Sequence, residues 1–112
     1  MNNNLPLPPD KKLTVVFRVE PGCLGPDGEN HIEAFCSFAQ KEFIQIESDY
    51  VCWEIIPRHD KLLPEMQYLI NNKKLTQDKA AKYLELFNKD IDELEENLHE
   101  TLVRLIEQYF EQ

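Results

Sequence analysis

The stretch Lys61-Leu62-Leu63-Pro64-Glu65-Met66-Gln67-Tyr68-Leu69-Ile70-Asn71-Asn72-Lys73-Lys74-Leu75 decides the fold, because two periodicities compete within it. Met66, Tyr68 and Ile70 alternate with polar or outward positions, the period of a half-buried strand, and Asn71-Asn72 supplies a turn after it. Leu62, Met66 and Leu69 could instead share one side of a short helix beginning after Pro64. The strand reading over residues 64–71 is favoured, and it gives the chain a third strand.

The flanking segments support a sheet. Upstream, Val51, Trp53 and Ile55 alternate with Tyr50, Cys52, Glu54 and Ile56, and Pro57 stops the ladder. This strand is apolar on both faces apart from Glu54, which predicts a central position. Leu13, Val15, Phe17 and Val19 alternate with Thr14, Val16, Arg18 and Glu20 as the first strand, ended by Pro21-Gly22. Between these strands, Ile32, Phe35, Ala39 and Phe43 recur at three- and four-residue steps, predicting a helix over 30–43 capped by Asn30. Downstream, Thr76 caps a helix carrying Ala80, Ala81, Leu84 and Phe87, which Asn88 closes in the left-handed region. Asp90-Ile91-Asp92-Glu93 has capping-box spacing and opens a last helix that runs nearly to the C-terminus.

The resulting order, β-α-β-β-α-α, predicts an α+β two-layer sandwich. A sheet of about three strands carries helices on one face and a long C-terminal helix. The βαββα order resembles part of a ferredoxin-like unit without its last strand, a resemblance that implies fold alone. Residues 1–10, with three asparagines and three prolines, are expected to be a flexible arm before a single domain over 11–112.

Composition narrows the function classes. A net charge of −9 disfavours direct contact with nucleic acid or anionic membranes, both of which draw on Lys and Arg. No stretch reads as a secretory leader or a bilayer span, and three cysteines without paired spacing suit a reducing compartment. A cytoplasmic protein is expected.

Pro21-Gly22-Cys23-Leu24-Gly25-Pro26-Asp27-Gly28-Glu29-Asn30-His31-Ile32 contains all three glycines and lies between a strand and a helix, the setting of a phosphate cradle. Its spacing fits neither G-x-G-x-x-G nor the P-loop, and no Lys or Arg lies between Arg18 and Lys41. Gly25-Pro26-Asp27-Gly28 reads instead as a type I turn. Cys23, near a helix start, is a weak catalytic candidate with His31 or His59 as its base. Cys23, His31, Cys36, Cys52 and His59 are zinc-ligand types, yet no segment offers paired spacing. His31 and Cys36 would diverge by about 140° on a helix. No metal and no cofactor is expected.

The last helix carries the strongest functional signal. Glu96-Asn97-Leu98-His99 and His99-Glu100 only begin metal motifs, since the required second ligands are missing. Ile91, Leu94, Leu98, Leu102, Leu105 and Tyr109 form one apolar stripe, and His99, Val103, Ile106 and Phe110 form a second. The C-terminal half is thus apolar over a wider arc than one sheet can cover. Leu102, Val103, Ile106, Tyr109 and Phe110 are the candidate interface of a homodimer, with a further protein partner allowed. The expected function is a non-catalytic protein–protein interaction or accessory module. The alternatives are a thiol-dependent enzyme or redox sensor at Cys23, and an acidic mimic that occupies a basic, nucleic-acid-binding partner.

Overall fold

The computed structural model describes residues 5–111. In chain order the elements are β1 (Leu13–Val19), α1 (Ile32–Phe43), β2 (Val51–Pro57), β3 (Met66–Ile70), β4 (Lys73–Leu75), α2 (Gln77–Glu85) and α3 (Ile91–Phe110). The strands form one mixed sheet ordered β2-β1-β3-β4. β1 runs parallel to β2 and antiparallel to β3, and β3 runs antiparallel to β4. The chain is an α+β sandwich with a long C-terminal helix.

The deciding stretch is a strand. Tyr68 points into the core at 6% exposure and pairs with Val15 of β1. Asn71 and Asn72 have φ of 52° and 67°, as the two central residues of a type I′ hairpin require, and asparagine tolerates this region. The chain then returns as β4, so the sheet has four strands rather than the expected three. This strand escapes a periodicity search because it is three residues long and two are exposed lysines. Lysine on an outer strand also discourages pairing with another sheet.

The second strand is not central. β2 is an edge, and β1 lies inside the sheet between β2 and β3. Its second face is not covered, since Cys52, Glu54 and Ile56 are unburied, so apolar residue type there did not report a central position. The Gln40 carboxamide completes this edge from α1: its Nε2 donates to Trp53 O and its Oε1 accepts from Ile55 N–H, each at 2.8 Å. One side chain therefore pairs with the edge as a peptide group of another strand would. The parallel β1-α1-β2 unit also has no strand inserted between its two strands, so the arrangement departs from the split unit of a ferredoxin-like fold.

Before α1 the chain makes two short 3-10 turns, Pro21–Leu24 and Gly28–Asn30. Between them Gly28 N–H returns to Gly25 O at 3.0 Å, and Asp27 (φ −100°, ψ 20°) has the third-position geometry of a type I turn. Asn30 does not cap α1. His31 takes that position without a side-chain bond, and Asn30 Nδ2 donates to Asp27 Oδ1. The later caps are as read: Thr76 Oγ1 accepts from Lys79 N–H and Asp90 Oδ2 from Glu93 N–H, both at 3.2 Å. Asn88, at φ 60°, closes α2.

Leu13, Val15, Phe17 and Val19 of β1 join Trp53, Tyr68 and the inner sides of all three helices in one core. Trp53 rests against Phe43, ring centroids 5.1 Å apart, and its indole N–H donates to Ile46 O at 2.8 Å. On the opposite sheet face Val16 is buried at 5%, but Thr14, Arg18, Cys52, Glu54 and Ile56 are unburied, and the helices occupy the other side. Of the expected N-terminal arm, residues 1–4 lie outside the described residues. Leu7 N–H donates to Asp49 O at 2.8 Å, and the Leu7 side chain packs against the core.

Candidate functional site

Helical geometry divides α3 into an inner and an outer side. Ile91, Leu94, Leu98, Leu102 and Leu105 are buried, which accounts for the first apolar stripe. The candidate interface residues then separate. Leu102 is buried in the core, Ile106 and Tyr109 are half-buried against it, and Val103 and Phe110 face out at 58% and 46% exposure. Val103 and Phe110 are seven residues apart, about 20° on a helical wheel, so they share one outward line.

The end of α3 is tied to the Pro21–Ile32 stretch, a connection that no local pattern announces. His31 Nδ1 lies 3.2 Å from Tyr109 Oη, and its Nε2 lies 3.6 Å from Asp27 Oδ2. The His31 ring also meets Phe110 edge-on, centroids 5.1 Å apart. Tyr109 packs in turn against Phe35 and Phe38 of α1.

The sulfur candidates occupy three different settings. Cys23 is exposed, Cys52 is intermediate and Cys36 is buried. Burial, reinforced by the Glu33 charge, pushes the Cys36 thiol up to about 12, so it is protonated at neutral pH. His31 is engaged as described, and His59 Nε2 lies 2.9 Å from Glu33 Oε2. Among the described residues no hydrogen bond joins Cys23 to His31 or His59, and no three His, Cys, Asp or Glu side chains converge as a metal-ligand set.

A groove of about 540 Å³ with a mixed polar and apolar lining opens between α3 and the β3–β4 hairpin. The Tyr68 hydroxyl donates to Glu95 Oε2, and Gln77 Nε2 donates to the same oxygen at 3.1 Å. Burial, the hydrogen bond to Glu95, and the Glu95 and Asp92 charges push the Tyr68 pKa upward, so the phenol keeps its proton. His99 Nδ1 lies 2.8 Å from Glu95 O, and its ring meets Phe17 edge-on. A carbonyl can only accept, so Nδ1 bears the proton in this contact. His99 bonds to Glu95 O, four residues before it, rather than pairing with Glu96. The Tyr68–Glu95 pair spans 27 residues and has no local signature.

No protein-family model, curated protein or solved structure matches the chain. Among the described residues no helix is long and apolar enough to cross a membrane.

Proposed function

We propose that the chain is a small non-catalytic protein–protein interaction module that homodimerises through the C-terminal half of α3. The observation that carries this reading is the outward pair Val103 and Phe110 on a helix whose inner stripe is already buried. Both are already about half covered, so covering the rest of each would contribute about 1 kcal/mol, and a two-fold axis across α3 would cover both copies at once. Arg104 and Glu107 flank the pair, so an antiparallel arrangement would set unlike charges beside the apolar contact. The net charge of −9 supports a protein partner over nucleic acid or an anionic membrane. Three free cysteines support a cytoplasmic location.

Sedimentation of the full chain tests the proposal. A dimer mass at micromolar concentration is expected, with Val103→Glu and Phe110→Glu each weakening association by about 10–100-fold. Both positions are exposed, so the variants should retain the helical spectrum of the parent. A monomer at about 100 μM, or a dimer indifferent to both substitutions, overturns the reading.

A further inference from the structure

We infer that the groove between α3 and the β3–β4 hairpin binds an organic cation, an ammonium group carried on an aliphatic stem. The inference is independent of the dimer, because Val103 and Phe110 lie beyond His99 along α3. The groove presents the carboxylates of Glu65 and Glu95 beside a single lysine, Lys74. Glu95 is half-buried, and Tyr68 and Gln77 fix its carboxylate through Oε2, which leaves Oε1 without a donor among the described residues. No lysine or arginine nitrogen of the described residues lies within 4 Å of the Glu95 carboxylate, although Lys74 lines the same groove. His99 lines the same wall, with its Nδ1–H committed to Glu95 O.

Met66 and Leu75 line the same groove and offer apolar surface to a methylene stem. An anion would meet Glu65 and Glu95, with only Lys74 in its favour. An ammonium group instead supplies three donors beside these carboxylates, and a partly buried carboxylate attracts it more strongly than a solvated one. The cation can be a free diamine or a lysine side chain of a partner protein. The chemistry is shared, and the test separates the two.

Two-dimensional amide NMR of the full chain, titrated separately with putrescine, Nα-acetyl-lysine methylamide and butyrate, provides the measurement. Saturable shifts clustered at Tyr68, Gln77, Glu95 and His99 are expected with the two amines and not with butyrate. Tighter binding of putrescine assigns the site to free diamines, and tighter or equal binding of the lysine amide assigns it to a partner's lysine. Glu95→Gln keeps an acceptor for Tyr68 while removing the charge, and should weaken amine binding by about tenfold or more. Lys74→Glu removes the competing cation and should tighten it by about threefold. The inference is overturned by shifts scattered over the acidic surface, by equal shifts with butyrate, or by amine binding that Glu95→Gln leaves unchanged. Absence of saturation by about 20 mM amine overturns it as well.

Discussion

Gly28 shows most directly how one residue sets local structure here. A Cβ at this position would lie 1.8 Å from Pro21 O and 2.7 Å from Pro21 C, both backbone atoms that cannot move aside. Gly25 is required for a different reason, its φ of +95°. Gly22 has no atom within 4 Å of a built Cβ and an ordinary φ. Gly28→Ala should therefore cost about 2–4 kcal/mol of unfolding free energy. Gly22→Ala should be neutral, or stabilise by up to about 1 kcal/mol through the unfolded chain. Urea denaturation of both variants checks the contrast, and equal midpoints would refute it. The type I turn was legible because Pro26 and Gly28 carry its local chemistry. The closeness of Gly28 to Pro21 was not, since it depends on two 3-10 turns folding onto one another. Asn30 was misread as a cap for a local reason: the turn places Asp27, three residues earlier, within reach of its amide, and that bond wins.

At the scale of elements, the informative case is the edge of the sheet. Gln40 supplies β2 with an acceptor and a donor at Ile55 N–H and Trp53 O, both in buried residues. Gln40→Ala would leave two backbone groups without partners and open the edge to another strand. A loss of about 1–3 kcal/mol is expected, together with earlier light scattering on heating. Unchanged stability and unchanged scattering would show that water replaces the carboxamide without cost. The existence of β1, α1, β2, β3, α2 and α3 was legible, because each repeats its apolar residues at a helical or strand period. β4 was not legible, since three residues cannot display a period. The edge position of β2 was also hidden, because residue type on a strand's faces does not record which neighbours it pairs with.

For the whole molecule, the buried acids predict an alkaline limit to stability. Burial, with the Glu33 charge, raises the Cys36 thiol from about 9 to about 12. Burial likewise raises Tyr50, Tyr68 and Tyr83 above their ordinary value. These groups titrate earlier in the unfolded chain, so above pH 9 the native state holds more protons. Their contribution is fully present below about pH 9 and is lost as the pH rises towards 12, at up to about 1.4 kcal/mol per pH unit for each group. The urea midpoint should fall between pH 9 and 11, and Cys36→Ala should make that fall shallower. A flat profile, or one that Cys36→Ala leaves unaltered, would contradict the assignment. The residue pattern alone determined the α+β class, the element order and the two apolar stripes of the last helix, because periodicity records which side of each element leaves water. Tertiary packing decided the strand order, the Gln40 edge, the His31–Tyr109 contact and the Tyr68–Glu95 groove. Those pairs join residues 13 to 78 positions apart, and only the summed packing of all elements brings them within bonding distance.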